Sequence, residues 1–274
     1  MMKTAKKILF AVMRIVVMVI VIGTVGINYF MFHPVQGEYD ATTRGYVDIG
    51  ADGVKVAAIV LGPERGKKAI LRCHGNAEDA AGTLWALGSL ANDGYTVAAV
   101  DYPGYGLSDG SPNEEGCYRN VHRLYDWLVA TRGFKPEDIV IDGFSIGTGP
   151  ATELAATRPC GGLILEAPYL SAPRIVTRVR IMPIDPFPNL KRIGAVKCPV
   201  LMIHGTKDRV IPFSQGEALF ALANEPKRFV SVPGGGHETL VDDLGYENYY
   251  ALIKGFVDGA DGQALAPQTK TGAR

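Results

Sequence analysis

An alternation constrains the fold of this chain more than any other feature. From residue 69 to residue 257, short apolar runs take turns with longer stretches of helical period. The runs lie at 69–73, 95–100, 139–142, 162–166, 200–204 and 228–232. The helical stretches lie at 78–92, 114–131, 146–157, 213–223 and 246–257. Two parallel strands need a crossover between them, and a helix of this length is the usual one. The pattern predicts βαβ units in a mostly parallel sheet with helices against it. Upstream, 45–49 and 54–61 flank Ala51-Asp52-Gly53. Asp-Gly between β-like runs is a hairpin signal, so antiparallel strands are expected at one sheet edge.

Three segments stand outside the alternation. Residues 167–197 hold five prolines and no clean period. A loop that long in a compact domain is usually functional, and we read it as a short lid. Residues 259–274 are polar and small, and are expected to be a disordered tail. At the start, Lys3, Lys6 and Lys7 precede an apolar run over 8–32, interrupted by Arg14. From 15 to 32 the run spans 18 residues with only Thr24 and Asn28 as polar side chains, the length of a bilayer span. Arg14 is placed to snorkel to headgroups. The expectation is a retained signal anchor and transmembrane helix over 1–32. Cleaved signal peptide and buried core helix are the alternatives. Bulky residues at 28–32 leave no small-x-small cleavage site. The lysines place the N-terminus in the cytoplasm, and so the main domain, 33–258, on the non-cytoplasmic side. Cleavage would make it a secreted protein instead.

The chain has 274 residues, enough for one large α/β domain. Lys plus Arg and Asp plus Glu number 28 each, so charge gives no argument for nucleic-acid binding. The four cysteines, Cys73, Cys117, Cys160 and Cys198, show no metal-ligand spacing and are read as buried or free thiols. Neither a metal nor a cofactor is expected.

The candidate chemistry begins at Gly143-Phe144-Ser145-Ile146-Gly147. The motif follows the apolar strand 139–142 and precedes the helical stretch. There a sharp strand-to-helix turn projects a serine hydroxyl above a sheet. A serine hydroxyl is a weak nucleophile and needs a base. Of five histidines, His237 sits in a glycine loop after the last strand, free to reach over a site. His204 ends a strand and is expected to be structural, and His122 lies on a helix and is expected to be exposed. His33 adjoins the anchor, and His74 belongs to a motif of its own. The base needs a carboxylate to hold its tautomer. Asp208, directly after the strand 200–204, completes the chain order Ser145, Asp208, His237. Asp101 also follows a strand but precedes the serine, so it is read as structural. The oxyanion of acyl transfer needs two backbone donors. We assign them to the N–H groups of Asn76, in His74-Gly75-Asn76, and of Ile146.

These pieces, with Asp101-Tyr102-Pro103-Gly104-Tyr105-Gly106 and His204-Gly205-Thr206-Lys207-Asp208, make residues 40–258 resemble the α/β-hydrolase superfamily. The His-Gly-Asn and Asp-Tyr-Pro-Gly-Tyr-Gly pair, together with an N-terminal anchor, resembles membrane-anchored serine esterases related to protein depalmitoylases. The resemblance implies an eight-stranded sheet and hydrolysis of an ester or thioester of a small or lipid-like acyl substrate through an acyl-enzyme. Asp142 departs from it, because an apolar residue is common just before the serine turn. A peptidase of the same fold is one rival function, and a non-catalytic binding or scaffold protein is another. In the lid, Arg174, Arg178, Arg180, Lys191, Arg192 and Lys197 face the single acidic residue Asp185. A basic, apolar lid suits lipid headgroups or acyl chains, while an ordinary solvated lid is the plainer alternative.

Overall fold

The computed structural model describes residues 10, 13, 14, 31–35, 37, 39–177 and 185–259. The chain divides into two units, Met1–His33 and Pro34–Arg274. Most of the expected anchor lies outside the described residues, as does the expected tail beyond residue 259. Among the described residues, no helix is long and apolar enough to cross a membrane.

The second unit is built on one eight-stranded sheet of order β1-β2-β4-β3-β5-β6-β7-β8. Its strands are β1 Tyr46–Asp48, β2 Ala57–Leu61, β3 Ala69–Cys73, β4 Thr96–Val100, β5 Ile139–Phe144, β6 Gly162–Glu166, β7 Val200–Gly205 and β8 Lys227–Val232. β1–β2 and β2–β4 pair antiparallel, and every later pair is parallel. The hairpin forms where expected. Asp52 and Gly53 both take positive φ (56° and 77°), and Val54 N–H closes onto Ala51 O at 3.1 Å. Two consecutive positive φ angles give a two-residue turn whose twist matches the strands.

All five residues of β3, β4 and β6 are buried, as expected of central strands covered on both faces. Period-two alternation sends Ile70, Val140, Ile164 and Leu201 to one face, against Leu87, Leu90, Ile253 and Phe256. Gly162 belongs to this row, and a Cβ there would lie 2.8 Å from the Phe256 ring. The opposite face packs against the helices Glu114–Ala130 and Thr148–Thr157.

One expected helix is not continuous. Over 78–92 the chain forms a 3₁₀ turn, Gly82–Leu84, and a short helix, Gly88–Asn92. Asp79 Oδ1 accepts from Ala81 N and Gly82 N at 3.1 and 2.7 Å, and Gly82 and Gly88 weaken the rest. Leu84, Leu87 and Leu90 are still buried, so the apolar period served packing without sustaining a helix. The helices Ala172–Thr177, Asn189–Arg192 and Leu240–Leu244 were not expected from the period.

Candidate active site

The candidate residues meet at the carboxyl edge of the sheet, because each follows a parallel strand of that sheet. Asn76 comes after β3, Ser145 after β5, Asp208 after β7 and His237 after β8. Ligand sites of open α/β sheets lie at this edge, where loops diverge from strand ends.

Ser145 has φ of +51°, in the left-handed region that non-glycine residues enter rarely. Such a residue costs on the order of 1–3 kcal/mol and persists only where the surroundings impose it. Here the two flanking glycines do so. A Cβ on Gly143 would lie 2.6 Å from Ala151 Cβ, and one on Gly147 would lie 2.2 Å from Cys73 O and 2.6 Å from His74 O. The turn therefore presses against the end of β3, beside the loop that carries Asn76. Two side chains hold it from behind: Thr148 Oγ1 donates to Ser145 O at 2.7 Å and Tyr169 Oη to Ile146 O at 3.0 Å.

Ser145 Oγ is 2.8 Å from His237 Nε2, and His237 Nδ1 is 2.7 Å from Asp208 Oδ2. The three residues chosen from chain order thus form one continuous hydrogen-bonded line. Asp208 Oδ1 accepts from the N–H groups of Val210 and Ile211, both at 2.8 Å. Burial pushes the Asp208 carboxyl up, but hydrogen bonds from His204, His237 and Ile211 outweigh it and hold it well below the usual range.

Asn76 sits in a braced loop. Its Oδ1 accepts from Tyr105 Oη at 2.7 Å, and Gly75 N donates to Glu78 Oε2 at 3.0 Å. His74 is fully buried, its ring centroid 4.0 Å from that of Tyr102 and 5.3 Å from that of Tyr105. Burial pushes its imidazole down to about 4, so it is a neutral packing element. Ile146 N belongs to the 3₁₀ turn Ser145–Gly147 that opens the helix Thr148–Thr157. A helix start favours developing negative charge.

Three other sequence assignments meet their partners here. His204 is fully buried, with Nε2 3.0 Å from Ile211 O and 3.3 Å from Asp208 Oδ2. Asp101 is buried and accepts from Tyr39 Oη, Ala80 N and Leu107 N, which makes it the tie between three segments. His122 is half-buried and paired to Glu153 at 2.9 Å, where an exposed side chain was expected.

Sequence reasoning missed the residues around Asp142. Asp142, Arg72 and Glu166 lie on one face of β5, β3 and β6, and all three are buried. Arg72 Nη1 is 2.9 Å from Asp142 Oδ2 and also bonds Glu166, which accepts from Tyr249 Oη at 3.1 Å. Thr83 Oγ1 takes the Arg72 Nε hydrogen at 3.1 Å. The signal was present: an arginine and an aspartate at the same register of neighbouring apolar strands can only be buried as a pair.

The segment read as a lid is tied down in its described second half. Phe187 is buried edge-on against Tyr118, and its N–H donates to Glu114 Oε1 at 2.9 Å. Asn189 Nδ2 donates to Tyr169 O at 3.1 Å. Arg192 lies over the Tyr118 ring and 3.7 Å from Glu114 Oε1. Residues 185–195 therefore brace the helices Glu114–Ala130 and Thr148–Thr157, and Arg192 is committed to that packing. Arg178 and Arg180 lie outside the described residues.

A serine at a strand-to-helix turn, in line with a histidine and an aspartate at the carboxyl edge of a largely parallel sheet, is the arrangement expected of the α/β-hydrolase class of folds. Comparison with known proteins makes the assignment specific, and the chain belongs to the α/β-hydrolase superfamily. The model of the alpha/beta hydrolase fold matches residues 68–186. Alpha/beta hydrolase domain-containing protein 17B of Homo sapiens is 37% identical over 196 residues, which are 70% of this chain and 66% of that protein. The match thus spans just under two thirds of that relative's length. An uncharacterized protein of Mycobacterium tuberculosis is 35% identical over 175 residues, 62% of each chain. Among solved structures, an esterase from Pyrococcus furiosus superposes with a TM-score of 0.67 at 16% identity, covering 83% of this chain and 98% of the esterase. An esterase from Exiguobacterium antarcticum superposes with a TM-score of 0.61, also at 16% identity, over 79% and 100%. At that identity the superpositions speak for the fold.

Proposed function

We propose that the chain is a serine hydrolase that cleaves carboxylic ester or thioester bonds through an acyl-enzyme on Ser145. The observation that carries this reading is the unbroken line from Ser145 Oγ through the His237 ring to Asp208. His237 Nε2 takes the hydroxyl proton as Oγ attacks the substrate carbonyl. Asp208, held ionised, fixes the tautomer with the proton on Nδ1 and stabilises the imidazolium that forms. The backbone N–H groups of Asn76 and Ile146 receive the developing oxyanion. His237 then gives its proton to the leaving alcohol or thiol, activates a water, and the acid departs as Ser145 regains its proton.

Esters and thioesters need less leaving-group assistance than amides, so they are the substrates this machinery serves most readily. The resemblance of the His-Gly-Asn and Asp-Tyr-Pro-Gly-Tyr-Gly pair to depalmitoylase-related esterases points the same way. An open cleft of about 700 Å³, lined by Val35, Tyr39, Ala77, Glu78, Asp79, Ala81 and Gly82, adjoins the Asn76 loop. It offers room for the remainder of a substrate.

The test is labelling with a fluorophosphonate, followed by turnover of ester, thioester and amide series of increasing acyl length. We expect labelling of the wild type, none of Ser145→Ala, and a loss in kcat/KM of about 10⁴-fold or more in that variant. An unlabelled wild type, or Ser145→Ala labelled as fully as wild type, would refute the proposal.

A further inference from the structure

Cys160 and Cys198 take no part in the proposed reaction. Cys160 lies two residues before β6 and Cys198 two residues before β7, and those strands run side by side in parallel. Their Sγ atoms are 3.3 Å apart, in hydrogen-bond contact. Both side chains are half-buried in the wall of an open cleft of about 390 Å³, also lined by Arg158, Pro159, Ala195 and Lys197. A small solute in the cleft therefore meets two thiols already in contact, whereas Cys73 and Cys117 are buried. Neighbouring strand lead-ins fix this juxtaposition, so it does not depend on a mobile loop.

We propose that Cys160 and Cys198 form a redox modification site, closed to a disulfide by exchange with a low-molecular-weight disulfide such as oxidised glutathione. The Cys160 thiolate attacks one glutathione sulfur, an S–S bond to Cys160 forms, and the first glutathione leaves as thiolate. The Cys198 thiolate then attacks the Cys160 sulfur and expels the second glutathione. Two protein thiols are oxidised and one glutathione disulfide is reduced, and the two protein protons end on the two glutathione thiols. Cys160 is suited to attack first, because the hydrogen bond from Cys198 lowers its pKa while the same bond raises that of Cys198. Closure to an S–S bond of about 2.05 Å starts from sulfurs already in contact at 3.3 Å.

The bond would join residues 38 positions apart. The enclosed stretch contains β6, Tyr169 against the serine turn, and Asn189 against the helix behind it. A cross-link of that span restrains the unfolded chain and should raise Tm by about 5–10 °C. Both sulfurs sit at the amino edge of the parallel strands, and Ser145 sits at the carboxyl edge. Ester turnover at moderate temperature should therefore be the same in both redox forms.

The experiment uses the full chain, incubated with reduced or oxidised glutathione, then alkylated and analysed by intact mass, peptide mapping and thermal melts. We expect the oxidised protein to lack the two alkyl groups that the reduced protein takes up at Cys160 and Cys198, to yield one cross-linked peptide joining Cys160 to Cys198, and to melt higher. Cys160→Ser and Cys198→Ser should show no cross-linked peptide and no rise in Tm. Alkylation of both cysteines after oxidation, or a lasting glutathione adduct on Cys160, would overturn the proposal. A cross-link with unchanged Tm would overturn the clamping role. The wild-type measurements stand alone if either variant folds poorly, and failure of the hydrolase reading leaves them untouched.

Discussion

Asp208 receives hydrogen bonds from Val210 N, Ile211 N and His237 Nδ1, and His204 Nε2, which donates to Ile211 O, lies 3.3 Å from its Oδ2. The two backbone donors fix Oδ1, and the two histidines converge on Oδ2. His204 is a positioning residue in this arrangement, since it touches Asp208 and not the reacting atoms. Its own place is unforgiving: a Cβ on Gly216 would lie 2.3 Å from His204 Nδ1. Losing the His204 ring leaves Ile211 O unpaired in the loop whose N–H orients Asp208, a cost on the order of 1–3 kcal/mol, so His204→Ala should lower kcat by about 10-fold. His204→Gln keeps an N–H donor at similar reach and should recover part of the loss. Steady-state kinetics on a short ester, with melts to match stabilities, would check this. Wild-type kcat in a folded His204→Ala would exclude the positioning role. The hydrogen-bonded line of Ser145, His237 and Asp208 was legible in the sequence because the proposed acyl transfer calls for those residue types in the chain order expected of this fold. His204 was legible only as a buried strand end. Its contact with Asp208 arises from the tight exit of β7, a matter of geometry that chain order does not encode.

At the level of elements, Asp142 shows how a departure from pattern becomes intelligible once strands are paired. Arg72 and Asp142 share a register on β3 and β5, and Glu166 lies at the end of β6 on the same face. Two carboxylates and one guanidinium are thus buried together, beneath Tyr249 of the helix Tyr246–Asp258. Burial pushes the Asp142 carboxyl up to about 8 and the charge of Glu166 adds to this, against the pull of Arg72. The folded state then holds a proton that the unfolded chain, with an ordinary carboxyl, releases near pH 4. Stability from this group is greatest at low pH and declines as pH rises toward 8. Asp101, raised by burial to about 6, contributes a decline of the same sign that ends lower. From pH 6 to 8 Asp142 contributes the decline, while His74, neutral in the folded state and an ordinary imidazole in the unfolded chain, contributes a smaller rise that ends at about pH 7. Urea melts should show wild-type stability falling across this interval and Asp142→Asn level or slightly rising, with Arg72 still hydrogen-bonded to the amide. Parallel slopes in the two proteins would contradict this account. The strands themselves were legible from composition, since every central run is apolar at its core. The broken helix over 78–92 was not. The leucine period there reports which residues are buried, whereas the two glycines and the Asp79 cap decide the backbone.

For the whole molecule, the alternation of runs together with the Asp52-Gly53 hairpin signal was enough to foresee a mostly parallel sheet with an antiparallel edge, flanked by helices. It did not foresee that the proline-rich segment braces the helices behind the serine turn, because buried polar anchors such as Asn189 leave no period. The same contrast bears on where the protein works. Of the described lid cations, Arg192 is engaged by Glu114 and Lys191 lies 3.8 Å from Asp185. The sequence feature that speaks for a membrane lies in the first unit. There Lys3, Lys6 and Lys7 precede 18 residues, 15–32, with only Thr24 and Asn28 polar. An uninterrupted run of that length partitions into a bilayer, and flanking lysines hold their end in the cytoplasm. We therefore propose a single-pass protein whose hydrolase unit faces away from the cytoplasm. The full chain should sediment with membranes, stay there through alkaline carbonate, and lose its hydrolase unit to protease added outside intact cells or spheroplasts. Release by carbonate would make the association peripheral. Protection from the protease would reverse the orientation and place the Cys160–Cys198 pair in a reducing compartment, where glutathione holds thiols open.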